Sequence, residues 1–225
     1  MGQPLVSIVI PTYNRSVFLR SSLESVVSQD YAAKEIIVVD DGSTDETEMV
    51  CEQYPVCFFR QEKRGVSAAR NLGVARCQGE LLVFLDDDDL CPPGSLALRV
   101  TRLQADTAFH HVVGRLRRFR ADTNGQIEFM DPEDPPYNFN HLGAGILRRT
   151  AFEKVGGFNE TLRMSEDVDL WMRLREAGMR HKPIPEVCLF YRRHSDNCTH
   201  DIDNSTKEFL SVLHRGMHRR RTKKT

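Results

Sequence analysis

The chain has 225 residues, a formal net charge of -1 and 28% charged side chains. That length supports one large domain or two small ones, and roughly 70% of the unfolded surface is buried on folding, so no disulfide framework is needed. Nucleic acid is a poor fit, because the basic C-terminal run has no interleaved aromatics and the rest of the chain is not basic, and no apolar run approaches the ~20 residues of a membrane span.

Met1-Gly2-Gln3-Pro4 carries no basic segment and does not read as a secretory signal. The six cysteines, Cys51, Cys57, Cys77, Cys91, Cys188 and Cys198, include no C-x-x-C pair. Zinc and disulfides are therefore not expected, and reduced thiols in the cytosol are.

The first half alternates strand and helix. Leu5-Val6-Ser7-Ile8-Val9-Ile10 is a continuous β-branched run, the pattern of a strand buried on both faces, and Pro11 is expected to stop it. Leu19, Leu23, Val26 and Val27 recur at helical spacing. Glu35-Ile36-Ile37-Val38-Val39 is a second buried strand, ending in Asp40-Asp41-Gly42, and Ser43 with Glu46 predicts a capping box. A short strand over 56–59 and a helix over 66–76 follow, the helix with small Ala68, Ala69 and Ala75 for close packing. The next strand, over 81–85, is followed by Pro92-Pro93 and a helix presenting Leu96, Val100 and Leu103.

The second half is less regular. A strand with basic residues is expected over 109–119, a Pro- and Asp-rich loop over 131–137, and a short strand with close backbone approach over 143–147. Thr150 with Glu153 predicts a capped helix ended by Gly156-Gly157. Ser165 caps a helix to Ala177 with Gly178 beyond it, and Ser205 with Glu208 caps a last amphipathic helix bearing Phe209, Val212, Leu213 and Met217. From Arg215 the sequence is strongly basic. A solvated tail and contact with an anionic lipid surface are both open readings. No internal repeat is present.

The chemistry is concentrated in Asp86-Asp87-Asp88-Asp89, directly after the buried 81–85 strand. Four adjacent carboxylates repel one another, so a positive group is expected there. A hard divalent cation takes one or two carboxylates and completes its shell with water and phosphate oxygens. Alternating strands and helices imply a parallel sheet with right-handed crossovers. The aspartates ending two strands should then gather at the carboxyl edge, where open α/β sheets bind ligands. A metal-bridged diphosphate is the expected ligand. No D-x-D-x-D-G loop ending in Glu supports calcium instead.

Five segments in order carry a family resemblance: Val6-Ser7-Ile8-Val9-Ile10-Pro11-Thr12-Tyr13-Asn14-Arg15, Val38-Val39-Asp40-Asp41-Gly42-Ser43-Thr44-Asp45, Ala69-Arg70-Asn71-Leu72-Gly73, Leu85-Asp86-Asp87-Asp88-Asp89 and Ser165-Glu166-Asp167. Together they resemble the inverting family 2 glycosyltransferases of the GT-A fold, over about 6–194. The resemblance implies an α/β, Rossmann-like, mostly parallel sheet flanked by helices, with a smaller mixed acceptor-side region. A soft boundary near Ala105 would divide a nucleotide-sugar half (1–105) from an acceptor and catalytic-base half (106–194), followed by a helix and basic tail (195–225).

The resemblance also implies roles. Pro11, Thr12 and Tyr13 would lie against the nucleotide base, Asp41 would accept from a uracil imide, and Arg70 would stand near the base or phosphates. As a lone helix arginine, Arg70 could equally be a surface ion pair, and Asp40 could simply order the Gly42 turn. Asp86-x-Asp88 matches the D-x-D motif: Asp88 would bind Mn²⁺ or Mg²⁺, Asp86 would assist through the ribose or a metal-bound water, and Asp87 would adjoin the nucleotide. His194, in Tyr191-Arg192-Arg193-His194, would be a third ligand or contact the diphosphate. Asp167 would be the general base, with Glu166 and Asp169 as substitutes. Trp171 would be a sugar platform or a core residue.

The expected activity is metal-dependent transfer of one sugar, with inversion, from a nucleotide-diphosphate sugar (UDP expected) to an acceptor hydroxyl. The processive synthases of this family carry Gln-x-x-Arg-Trp and membrane helices, which this sequence lacks. The acceptor is open: saccharide, lipid-linked saccharide, protein or small molecule. The implied location is cytoplasmic, with the basic tail favouring the inner membrane face. Two rivals stand beside this reading. A nucleotidyltransferase would need a glycine-rich basic loop after the first strand, which Pro11-Thr12-Tyr13-Asn14 is not. A binding protein of the same fold without transfer activity would need no base.

Overall fold

In the computed structural model the described residues are 2–121, 126–130, 141–194 and 202–222, the side chains of 202–205 and 220–222 excepted. The 131–137 loop, Cys198, the Ser205 cap and the basic side chains from Arg220 onward lie outside the described residues.

Strands β1 (Val6–Thr12), β2 (Lys34–Asp40), β3 (Cys57–Arg60) and β4 (Leu81–Phe84) alternate with helices α1 (Ser16–Val27), α2 (Thr47–Cys51) and α3 (Val66–Arg76). They pair in parallel in the order β3-β2-β1-β4. β1 is buried along its whole length. Val6, Ile8 and Ile10 enter one core layer with Leu19, Leu23 and Leu96, and Val9 enters the other with Ile37, Val39, Phe84 and Leu170. This two-sided burial is why the strands read as unbroken apolar runs. α3 lies close on β1: a Cβ at Gly73 would come 2.4 Å from Val9 Cγ1.

The chain continues through α4 (Ser95–Gln104), β5 (His111–Ala121), β6 (Ile127–Phe129), β7 (Gly145–Arg148), α5 (Arg149–Lys154), α6 (Glu166–Glu176), β8 (His181–Arg192) and α7 (Ile202–Thr222). β7 is antiparallel to both β4 and β5, β6 is antiparallel to β5, and β8 runs parallel to β5. The sheet thus crosses the Ala105 region without a break and becomes mixed beyond β4. β8 has no counterpart among the expected elements. Pro183 and Pro185 disguise it, and it tolerates them because it pairs with β5 alone among the named strands, through a register shifted around Gly114.

Several local expectations are corrected. β1 runs through Pro11 to Thr12, which pairs with Asp40. α2 has Glu46 at its cap position but no capping box: no side chain caps it, Thr47 N donates to Asp45 at 3.1 Å, and Ser43 Oγ accepts from Asn14 N at 2.8 Å. α5 has no side-chain cap, and Glu153 instead pairs with Arg149 at 2.8 Å. Ser165 holds the cap position of α6 in a left-handed conformation (φ 58°) and caps through its carbonyl, which accepts from Asp169 N at 3.0 Å. Glu208 does not cap its own helix: its carboxylate accepts from the backbone N–H groups of Arg163 and Met164, clamping the loop before α6. Ala75 faces solvent, and Gly73 makes the close helix–sheet contact instead.

Candidate active site

The parallel order of β2, β1 and β4 brings their carboxyl ends to one edge of the sheet. A cleft of ≈ 560 Å³ opens there. Its walls come from the β1 end (Pro11, Thr12, Tyr13, Arg15), Asp41 after β2, Ala69 and Arg70 of α3, Asp86, Asp87 and Asp88 after β4, and Ser165, Glu166 and Asp167 at the start of α6. Residues nominated from five separate segments therefore share one cavity. Asp169 does not line it. It is buried on the far face of α6, paired with Arg173 Nε at 2.7 Å and Arg219 Nη1 at 3.6 Å, and it anchors α7 rather than facing an acceptor.

Each nominated side chain has a defined setting. Asp41 Oδ1 accepts from Gln61 Nε2 and Arg64 N, both at 2.7 Å, and Oδ2 accepts from Gly65 N at 2.8 Å. Gly65 has φ 96°, a left-handed value that suits glycine, so Asp41 holds open the loop that leads into α3. A carboxylate offers about four acceptor positions, so one remains on Oδ2. Asp40 points back and orders the Gly42 turn, accepting from Ser43 N at 2.8 Å. Tyr13 lies beneath Lys63 Nζ, 3.6 Å from its ring centre.

The four consecutive carboxylates are held by several compensations. Arg15 Nη1 lies 3.2 Å from Asp87 Oδ1 and 2.6 Å from Asp88 Oδ2. Arg70, 3% exposed, reaches Asp86 Oδ1 and Glu166 Oε1, each at 2.6 Å. Arg192 donates from its backbone to Asp89 Oδ1 at 2.9 Å and from Nε to the Asp88 carbonyl at 2.6 Å. Burial shifts Asp87 and Asp89 upward. Desolvation and the neighbouring Asp88 push Asp87 up to about 7, against the pull of Arg15. Desolvation, Asp88 and Asp86 also raise Asp89 well above the ordinary carboxylate value. Desolvation alone would raise Asp86 too, but Arg70, helped by His141 and Arg15, lowers it below the ordinary value. Burial raises Glu166, and Asp167 adds to this while Arg70 opposes both.

The donor set fits a hard divalent cation. Asp88 Oδ2 and His194 Nε2 are 3.0 Å apart, within hydrogen-bond distance, and the His194 ring is stacked on Phe18 at 4.5 Å. Asp86 belongs to a second grouping: its ligand atom and those of Asp89 and His141 lie within 4.8 Å of one another. Asp89 Oδ2 is buried with no hydrogen-bond partner, an orphaned acceptor that a cation would satisfy. Asp89 belongs to the expected acidic run but had no ligand role there, and His141 had no expected role. The D-x-D spacing drew attention to its alternate members, and no pattern links His141 to it. Arg15 and Arg192 were likewise not anticipated as counter-ions, although Arg15 follows β1 directly, between the two acidic strand ends.

A second recess of ≈ 670 Å³ adjoins the cleft and shares Asp167, His141 and Tyr191 with it. Trp171 lines it and stacks on His111 (ring centres 4.7 Å apart), which stacks in turn on His181 at 5.4 Å. Trp171 also packs against both core layers. Burial, with His181 and His110 beside it, depresses His111 to about 3.

Residues 7–158 match the model of Glycosyl transferase family 2. An uncharacterised glycosyltransferase of Rickettsia typhi is 29% identical over 93% of this chain and 70% of its own length. Chondroitin synthase of Escherichia coli is 27% identical over 98% of the chain but 34% of its own length. Among solved structures, the mannosyltransferase PcManGT of Pyrobaculum calidifontis, in complex with GDP-Man and Mn²⁺, superposes with a TM-score of 0.77 at 21% identity, covering 97% of this chain and 65% of that one. S. aureus TarS 1-349, in complex with UDP-GlcNAc, gives 0.70 at 20% identity, covering 88% and 61%. The chain therefore spans under two thirds of the solved structures it resembles, and that likeness establishes the GT-A arrangement of sheet and helices. From the family match over most of its length, this chain belongs to glycosyl transferase family 2.

Proposed function

We propose that the chain transfers one sugar from a nucleotide-diphosphate sugar to an acceptor hydroxyl, with inversion. The observation that carries this reading is the place of Asp167, on the border of the ≈ 560 Å³ cleft and the ≈ 670 Å³ recess. A base there reaches a hydroxyl entering from the recess while the donor occupies the cleft. Asp167 Oδ1 accepts from Val168 N at 2.7 Å, which orients the carboxylate and leaves Oδ2 for the acceptor proton. The hydroxyl oxygen then attacks the anomeric carbon from the face opposite the diphosphate. Glu166 is occupied by Arg70 and serves to position it, not as the base.

Tyr13, with Pro11 and Thr12, forms the base-side wall. The remaining acceptor position of Asp41 suits one imide N–H, which favours uracil. Known neighbours bind both UDP-GlcNAc and GDP-Man, so the base is open to test. Mn²⁺ or Mg²⁺, held by Asp88 and His194 with Asp86, or by Asp86, Asp89 and His141, would neutralise the diphosphate. Arg15 and Arg70 hold the aspartates in position around it.

Among the described residues no helix is long and apolar enough to cross a membrane, and the five described cysteines are free thiols. We place the protein in a reducing compartment, docked at an anionic membrane face through α7, where Phe209, Leu210 and Met217 are exposed beside basic residues. Removing everything after Gly216 would also remove Arg219, which holds α7 to Asp169 and Glu176, so the cleaner test is Phe209→Glu with Leu210→Glu. Retained sedimentation with anionic vesicles would end the docking reading. The transfer reading is tested by a donor screen that detects released nucleotide, with Mn²⁺ and with chelator. No release from any UDP- or GDP-sugar would overturn it.

A further inference from the structure

The recess beyond Asp167 has its own chemistry, which nothing in the transfer reading requires. On α6, Asp167, Trp171 and Arg175 recur at intervals of four and all line it, one stripe of a single helix face. At 1.5 Å rise per residue, Arg175 lies roughly 12 Å along the axis from Asp167. Arg193, just past the end of β8, and Arg118 of β5 line the same recess from the sheet side. Among the described residues neither Arg175 nor Arg193 has a side-chain partner. Among the described residues Asp167 is the one carboxylate on these walls, and it borders the other cleft. His111 is neutral at ordinary pH, so the added positive charge is arginine.

We propose that the acceptor is an anionic saccharide. One ring lies on Trp171 with its hydroxyl at Asp167, and a carboxylate, sulfate or phosphate further along the chain is held by Arg175 and Arg193. The order along the helix (base, platform, cation) sets the direction in which the acceptor enters. Guanidinium groups suit these anions because their planar N–H fork matches two oxygens at once. The aromatic ring supplies the apolar face that a pyranose needs, and the arginines supply selectivity for the acid.

This proposal rests on the transfer reading, and its test separates the two. Nucleotide release is measured against matched oligosaccharide acceptors: neutral, uronate-bearing, and sulfate- or phosphate-bearing. The wild-type chain is expected to show a lower KM for an acidic series than for its neutral match. Arg175→Ala with Arg193→Ala is expected to remove that preference by raising KM for acidic acceptors about 10- to 100-fold, the worth of one charged hydrogen bond. Arg175→Lys should restore part of it. Equal KM values for acidic and neutral acceptors in the wild type, or an acidic preference that survives the double variant, overturns the proposal. If no donor releases nucleotide, the transfer reading fails instead. Calorimetry with the uronate and sulfated oligosaccharides alone then decides this one, with no acidic preference counting against it.

Discussion

A 2.6 Å ion pair joins Arg70 to Glu166, 96 residues further along the chain. The same guanidinium reaches Asp86 at 2.6 Å, so one buried arginine of α3 ties the acidic loop after β4 to the start of α6. The start of α6, with Asp167, and the acidic loop hold their separation through this bridge.

Removing the arginine leaves Asp86 and Glu166 without the counter-charge that bridges them. Arg70→Ala is expected to lower stability by about 3–5 kcal/mol, read from urea unfolding midpoints at constant slope, and to weaken donor binding. Arg70→Lys should recover little, because a single ammonium does not span both partners as the fork does. An unchanged midpoint in Arg70→Ala would show that the bridge is dispensable.

Asp167→Asn preserves shape but cannot take a proton. Transfer should fall by about 10²–10⁴ while donor affinity is retained. Glu166→Gln should alter donor affinity and stability through Arg70 instead. Normal turnover in Asp167→Asn would remove that residue from the proposed mechanism.

Two ligand groupings are candidates for the proposed cation, and substitution separates them. If Asp88 and His194 bind it, His194→Ala should weaken Mn²⁺ binding about 10-fold or more, and Asp89→Asn should have little effect. The reverse pattern would assign the site to Asp86, Asp89 and His141. Direct Mn²⁺ titration by electron paramagnetic resonance reads this without any turnover, and chelator should weaken donor binding in either case.

Asp169 predicts a structural phenotype. Asp169→Ala leaves Arg173 and Arg219 without their shared carboxylate, so α7 should loosen from α6. Hydrogen exchange of the α7 amides should accelerate, with stability lower by about 3–5 kcal/mol. Protection of α7 equal to wild type would show that other contacts suffice.

His111 gives a pH dependence of known sign. Its value is lowered from 6.5 to about 3, chiefly by burial, so the unfolded chain binds a proton that the folded chain refuses. Stability from this group is fully present above 6.5 and is lost as pH falls toward 3. Between pH 6.5 and 5 the loss should be on the order of 2 kcal/mol. His111→Phe should flatten that part of the curve, and an equally steep curve in the variant would locate the titration elsewhere.

The parallel half was legible because burial on both faces writes itself as continuous apolar runs in β1, β2 and β4, and because parallel pairing makes acidic strand ends converge. In the mixed half β5, β7 and α6 follow the expected elements, but β6 and β8 had no counterpart. β8 hides behind two prolines tolerated at an edge. The capping boxes expected at Ser43 and Thr150 misled because Ser43 is taken by Asn14 and Asp40, Thr47 N turns to Asp45, and Arg149 takes Glu153, while Glu208 is drawn across to the loop before α6.

By itself, then, the sequence determined which residues could carry the chemistry and that Asp41, Asp86, Asp88 and Asp167 belong to one site, since local pattern and strand order suffice for that. Only the tertiary structure decided how the charges are shared: that Arg15, Arg70 and Arg192 neutralise the acidic loop, that Asp169 turns away to hold α7, and that His141 and Asp89 join the cluster. Those outcomes depend on distances between segments far apart in the chain, and no local pattern encodes a distance of that kind.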